Sequence, residues 1–408
     1  MPPIRILTAV PICDGHDSAI NTINLEFIRD GVEVIYLGYN RSAKDITRAA
    51  LQEDVVAIGI STYNGGHLEF FDEVVERLNQ FHLAPAIKIF GGGGGTITRE
   101  DAEIMYQRGI DRIFFAGTTL SEMLTYLKDK YSQVAQQPYG ASLAGTDEYL
   151  SRELTLAESG IRSLPKTAQE VPGGHYQGRR TKVIGLTGPG GAGKTTLIDE
   201  LVFRYLRSRP MNQRVAILSH DPSMVGSGAL LGDRATMIYS QDDRVFMRSL
   251  ATRGQAGGLS PSTSRCLEIL VESGLFDVVL VETVGTGQEA IPFGKGALAV
   301  DKAVLVMPPD YGSRLQLQKI AMIDAADAIV VNKSDLQGSR TAASEIEFRI
   351  RTNQKGQTLL RTQANRHGDT GVDQLFELLL GKGEKSGVQE TGVRKQDERG
   401  FRLNKFGV

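Results

Sequence analysis

The run Gly188-Pro189-Gly190-Gly191-Ala192-Gly193-Lys194-Thr195, followed by Thr196, fits the spacing G-x-x-x-x-G-K-[ST]. Glycines at those positions let backbone N–H groups converge on phosphate oxygens, and a helix starting there adds the positive end of its dipole. In such a loop Lys194 reaches the β- and γ-phosphates and the Thr195 hydroxyl ligates Mg²⁺. The competing reading, a glycine-rich turn with an accidental lysine, is disfavoured by context. A strand pattern at 183–187 leads directly in, and a helical pattern at 196–207 leads directly out. Asn332-Lys333-Ser334-Asp335 follows another apolar run, 328–331. The Asp335 carboxylate can accept from guanine N1–H and its exocyclic amine, donors that adenine does not offer on that edge. A site built on such bonds rejects the wrong base, because its acceptors would go unpaired. Asn332 can bond the other edge of the base, and the Lys333 stem can cover its face. Alone this tetrapeptide is common on surfaces; downstream of a phosphate loop it moves the nucleotide from ATP to GTP.

Three acids complete the expected metal site: Asp221 in SHDPS, Asp233 in LLGDR and Glu282 in VETVG. Asp221 and Glu282 follow strand patterns that end near the phosphates, so they could hold Mg²⁺ through water. With Lys194 they form the expected catalytic set. Glu282 and Gly285 take the place of an Asp-x-x-Gly turn, which leaves open whether Glu282 touches the metal. For Asp233 a solvated loop acid is the competing reading. No residue is assigned to position attacking water, although Gln288 lies near in sequence.

A second constellation opens the chain. Asp14-Gly15-His16-Asp17 follows the first strand pattern. Neutral imidazole is a common metal ligand, and a neighbouring carboxylate can hold its other N–H and fix its direction. A lone His-Asp pair in a loop is usually only that. Here Ser61-Thr62-Tyr63 follows the third strand pattern, and five glycines starting Gly91, Gly92, Gly93 follow the fourth. Glycines after a buried strand make a floor that a bulky ligand can approach closely.

The elements that must position these residues alternate. Strand patterns at 4–10, 33–37, 55–60, 87–90 and 112–115 are separated by helical patterns at 19–30, 43–53, 68–80 and 98–107. Parallel strands need such crossovers, so the expectation is a flavodoxin-like doubly wound α/β domain over 1–132. Residues 133–180 lose the periodicity, apart from one helix near 149–159, and are expected as a linker. Strand patterns at 183–187, 215–219, 278–281, 303–307 and 328–331 then mark a P-loop α/β domain over 181–382, and 383–408 reads as a charged tail.

Composition excludes several classes. The 408 residues carry 46 Lys and Arg against 48 Asp and Glu, a net charge of −2, with no basic cluster, which disfavours nucleic acid as a partner. Cys13 and Cys266 are the only two cysteines and no CxxC pair exists, which argues against a disulfide framework or a cysteine-rich zinc site. No apolar run approaches a membrane span and the start lacks a signal-peptide layout, so a cytoplasmic chain without membrane contact is expected.

Residues 183–380 resemble the GTPase chaperones that service cobalamin-dependent acyl-CoA mutases. The phosphate loop carries the resemblance, together with Asp221-Pro222-Ser223, the block from Gly228 to Arg234, the block from Glu282 to Gln288, and NKSD. Residues 4–131 resemble the cobalamin-binding domains of adenosylcobalamin mutases and methionine synthase, through Asp14-x-His16, Ser61 and Gly91-Gly92. This resemblance implies that His16 replaces the cofactor's own base as the lower cobalt ligand. It also implies that the displaced nucleotide tail enters a slot beside the glycines, with Ser61 bonding it. The D-x-H-x-x-G pattern ends here in Ala19, S-x-L is Ser61-Thr62-Tyr63, and a lysine some mutases carry is Val10. The five glycines, Tyr63-Asn64-Gly65-Gly66-His67 and Asn40-Arg41-Ser42 most resemble the fused isobutyryl-CoA mutases, where this domain precedes the GTPase and a further substrate domain contains a barrel of about 250 residues. No room remains for one here.

The resemblance therefore implies adenosylcobalamin, GTP and Mg²⁺ as cofactors. It implies a mutase small subunit fused to its GTP-hydrolysing chaperone, with isomerase activity only beside a separate large subunit that binds acyl-CoA. A cobalamin adenosyltransferase and further copies of the chain are the other expected partners. Two alternatives stay open: a truncated portion of a fused mutase, and a metallochaperone that delivers cobalamin. A methyl-carrying corrinoid protein is a further rival, which the adjoining GTPase argues against.

Overall fold

The computed structural model describes residues 3–12, 14–81, 86–134, 146–160, 180–224, 226–285, 291–294, 297–311 and 321–381. The expected tail and Gln288 lie outside the described residues, as do Cys13 and most of the expected linker.

Five buried, β-rich runs build the first sheet: β1 (Arg5–Ala9), β2 (Glu33–Tyr36), β3 (Ala57–Ser61), β4 (Lys88–Gly92) and β5 (Arg112–Phe114). They lie in the order β5-β4-β3-β1-β2, all parallel. This is the flavodoxin-like order that the alternating pattern implies, with its reversal between β1 and β3. The crossovers are α1 (Ser18–Arg29), α2 (Ala43–Gln52), α3 (His67–Gln80) and α4 (Arg99–Gln107), and α5 (Leu120–Val134) follows β5. Capping boxes fix two starts: Ser42 with Asp45 opens α2, and Thr98 with Asp101 opens α4. Two apolar clusters flank the sheet, one centred on Leu7, Ile58 and Phe71 and the other on Ile6, Phe27 and Phe90.

The helix expected near 149–159 is α6 (Asp147–Glu158), and it touches both halves of the chain. Asp147 accepts from Gln52 at 3.0 Å and from Arg214 at 2.6 Å.

The second sheet contains β6 (Lys182–Thr187), β7 (Val215–Asp221), β9 (Val245–Ala251), β10 (Val278–Glu282), β11 (Lys302–Met307), β12 (Ala328–Val331) and β13 (Thr358–Arg361). Its order is β13-β12-β11-β6-β10-β7-β9, again all parallel. Helices α7 (Lys194–Ser208), α8 (Thr263–Glu272), α9 (Ser339–Asn353) and α10 (Thr370–Leu380) accompany it. Sequence periodicity misses β9, which carries Arg248 in its middle, and the short β13. It also misses β8 (Ala229–Leu231), which leaves the second domain and pairs with β2 at the edge of the first sheet. No helix among the described residues is long and apolar enough to cross a membrane.

Candidate functional site

At the carboxyl end of the first sheet the polar groups gather beside the β1–β3 reversal, where doubly wound sheets hold ligands. Asp14, only 3% exposed, organises them. Its Oδ1 lies 2.8 Å from His16 Nδ1 and accepts the His16 amide at 3.1 Å. Its Oδ2 accepts the amides of Tyr63 at 2.6 Å and Asn64 at 3.2 Å. Burial pushes the Asp14 carboxyl up, but these hydrogen bonds more than offset it and hold it below the usual carboxylate range. A carboxylate can only accept, so Nδ1 carries the proton and the lone pair sits on Nε2. The His16 side chain is 61% exposed, and its ring stands 4.6 Å from that of Tyr63. A Cβ added at Gly15 would meet nothing. Asp17 accepts from the Tyr36 hydroxyl at 3.2 Å, so it braces β2 against the start of α1.

A mostly apolar cavity of about 220 Å³ opens at the ends of β3 and β4. Ser61, the last residue of β3, and Gly91, Gly92 and Gly93 line one wall, while Ile20 and Phe114 contribute apolar surface. Ala19, where the family pattern has glycine, also lines it. The glycines answer first to the fold itself. A Cβ on Gly91 would run into Phe71, one on Gly92 into the Phe114 carbonyl, and one on Gly93 into the Thr62 carbonyl. The fold thus requires glycine at these positions, and the same glycines line the cavity. Val10 is fully buried, and main-chain amides rather than a lysine support Asp14.

At the carboxyl end of the second sheet the phosphate loop joins β6 to α7. Gly188, Gly191 and Gly193 take φ of +146°, +73° and +85°, which suit glycine. Gly190 and Gly285 pack backbone against backbone, and Ala192 is buried. Lys194 Nζ donates to the carbonyls of Gly188 at 3.0 Å and Pro189 at 3.2 Å. Burial lowers its pKa, against the pull of Glu282 and Asp233. Thr195 donates to Glu282 Oε1 at 2.7 Å. Thr196 follows in the first turn of α7.

The three expected acids converge electrostatically. Burial, then the Asp233 charge, raises Asp221 well above the usual range and pushes Glu282 up to about 8. Burial also raises Asp233, although the Ser219 hydroxyl donates to it. Asp221 Oδ2 and Glu282 Oε2 are buried with no hydrogen-bond partner among the described residues. Among those residues no three His, Cys, Asp or Glu side chains form a group able to hold an ion unaided. A complete protein cage for Mg²⁺ is therefore not what this end provides. The unpartnered acid oxygens and the Thr195 hydroxyl suit a hard cation that completes its shell with phosphate and water.

Asn332, expected at the base edge, also has a structural role. Its amide donates to the Ala192 carbonyl at 2.9 Å and accepts from the Thr362 hydroxyl at 3.0 Å and the Ala364 amide at 3.1 Å. These bonds stitch the NKSD loop to the phosphate loop with one of the two amide N–H groups and the amide oxygen, and leave the second N–H for another acceptor. Lys333, at φ +56°, and Asp335 are exposed at the same end of the sheet. His220, which the sequence reading passed over, donates from Nδ1 to the Glu282 carbonyl at 2.7 Å, with Nε2 2.7 Å from Thr263 Oγ1. Burial brings its pKa down to about 4. Its place beside Asp221 was the one available signal.

Residues 4–124 match the B12 binding domain, and residues 150–405 match the methylmalonyl Co-A mutase-associated GTPase MeaB. The chain belongs to the MeaB family. Within it, this MeaB-family chain carries a B12-binding domain ahead of the GTPase. It is 35% identical over 398 residues to the fused isobutyryl-CoA mutase of Cupriavidus metallidurans, covering 93% of this chain and 35% of that protein. The fused isobutyryl-CoA mutase of Geobacillus kaustophilus is 35% identical over 400 residues, 92% of this chain and 36% of its own length. A methylmalonic aciduria type A homolog, mitochondrial, of Mus musculus is 33% identical over 245 residues, 57% of each chain. The chain spans about a third of the length of the fused mutases it matches.

Proposed function

We propose that this chain binds adenosylcobalamin on its first sheet, hydrolyses GTP with Mg²⁺ on its second, and works as the small subunit and chaperone of an acyl-CoA mutase. The observation that carries the reading is His16, exposed and oriented by Asp14 at the end of the first sheet, in one chain with a phosphate loop facing unpartnered acids. In this reading His16 would ligate the cobalt, Tyr63 beside it would help hold the corrin, and the cavity lined by Ser61 would take the nucleotide tail. Bound adenosylcobalamin would supply a carbon radical, and the chain's own residues would bind and orient the cofactor. For GTP, Lys194 neutralises phosphate charge, Thr195 and the Asp221–Asp233–Glu282 group hold the metal, and Asp335 selects guanine.

The reading divides the chain into a cobalamin-binding domain at 1–132, a linker at 133–180, a GTPase domain at 181–382 and a tail at 383–408. It assigns the acyl-CoA site to a separate large subunit, and names a cobalamin adenosyltransferase and a second copy as further partners. A second reading, a portion of a longer fused mutase, is favoured by the share of the fused relatives that is matched. The test mixes the purified chain with adenosylcobalamin and GTP and records spectra before and after gel filtration, then adds a candidate large subunit and assays acyl-CoA isomerisation. Retained colour with GTP turnover, and isomerase activity only in the mixture, is the expected result. A chain that stays colourless overturns the proposal.

A further inference from the structure

Residues 228–235 belong to the second domain in sequence and to the first in structure. β8 runs parallel to β2 in the register Glu33↔Ala229, Val34↔Leu230, Ile35↔Leu231. Just before it, the Gly228 amide donates to the Ile28 carbonyl at 2.8 Å, and a Cβ on Gly228 would overlap the Val32 carbonyl. Just after it, Arg41 donates to the Ala235 carbonyl at 2.7 Å. The segment is therefore pinned to the first domain at both ends and along its middle.

Between those pins two adjacent side chains diverge. Asp233 receives the Ser219 hydroxyl and acts electrostatically on Lys194, Asp221 and Glu282 at the nucleotide end. Arg234 is fully buried. Its Nε donates to Glu53 Oε1 at 3.1 Å, and its terminal nitrogens donate to Gln52 Oε1 at 3.2 and 3.3 Å and to the Met247 carbonyl. Glu53, equally buried, also accepts from Arg5 at 2.9 Å, from the Ser249 amide at 3.1 Å and from the Ser249 hydroxyl at 3.0 Å. A planar guanidinium with this many fixed acceptors has one orientation, so the residue before it has little freedom.

We infer that Glu53 and Arg234 are positioning residues of the nucleotide site: the first domain, through Glu53, clamps Arg234 and thereby places the Asp233 carboxylate at the metal-binding end of the phosphate loop. The inference rests on the proposed reading of Asp221, Asp233 and Glu282 as the Mg²⁺ group, and it assigns part of that group's geometry to the other domain. Neither Glu53 nor Arg234 touches nucleotide or metal. Their effect passes through Asp233, as with partners that orient a metal ligand from outside.

The experiment uses the full chain, stripped of metal with EDTA and loaded with GDP, and titrates it with Mn²⁺ while the free ion is read by electron paramagnetic resonance. Glu53→Gln and Arg234→Lys are expected to weaken Mn²⁺ binding about ten- to a hundredfold. The affinity of a fluorescent GDP analogue in EDTA should not change. Ser249→Ala, which removes one hydrogen bond to Glu53, should shift Mn²⁺ affinity less and in the same direction; it carries the test if the buried variants fail to fold. Wild-type Mn²⁺ affinity in a folded Glu53→Gln chain, or in Ser249→Ala where only that variant folds, overturns the inference. A wild-type chain that binds GDP but no Mn²⁺ overturns the reading of the acid group as well.

Discussion

At the end of the first sheet Asp14 enters four hydrogen bonds before any ligand arrives, and His16 is already turned by them. At the end of the second sheet Asp221 Oδ2 and Glu282 Oε2 are buried without partners, and Lys194 rests on the carbonyls of its own loop. The first end is organised around a neutral ligand that needs direction. The second gathers buried acids whose pKa values burial and mutual repulsion raise, an arrangement that favours a cation. Preorganisation at one end and electrostatic demand at the other predict different responses to mutation and pH.

The largest effect belongs to the charged end. Lys194→Ala should lower GTP hydrolysis by at least about a hundred- to a thousandfold, by analogy with removal of one transition-state donor, when phosphate release is followed. Cobalamin spectra of the same variant should not change, which sharpens the contrast. Next, Asp335→Asn should weaken GTP by about ten- to a hundredfold while xanthosine triphosphate is retained, since only the guanine donors lose their acceptor. Equal loss of both nucleotides would break the assignment of base selection to Asp335. At the preorganised end, Asp14→Asn should weaken cobalamin about tenfold, because His16 loses the carboxylate that fixes its tautomer. Nucleotide affinity should stay at the wild-type value.

The smallest effect is one of pH. Glu282 holds its proton up to about 8 in the folded chain, whereas an unfolded glutamate releases it near pH ~4.3. Between those values the folded state binds more protons, so stability falls as pH rises. The melting temperature of the nucleotide-free chain should decline across that window. Glu282→Gln should flatten the decline, and Mg²⁺ with GTP should do the same.

Much of the fold was legible because the strands are short apolar runs separated by amphipathic helices. The phosphate loop and the Asp14–His16 pair were legible because their chemistry is local in sequence. Three features were not. Asn332 sits in a motif that suggests base contact, and it also ties Ala192, Thr362 and Ala364 together, whose proximity only the fold creates. β8 has an ordinary apolar pattern, and nothing local says that Ala229–Leu231 pairs with a strand nearly two hundred residues earlier. The cluster of Arg5, Glu53, Arg234 and Ser249 is assembled from four separate elements, so each residue alone reads as surface charge or filler.

The central claim is that His16 grips the cobalt of cobalamin, and its most direct test is the paramagnetic spectrum of the chain loaded with cob(II)alamin after growth on ¹⁵N-labelled histidine. The account predicts superhyperfine splitting from one protein nitrogen, with the pattern altered by the label and absent in His16→Ala. A spectrum indifferent to both the label and the substitution would contradict it.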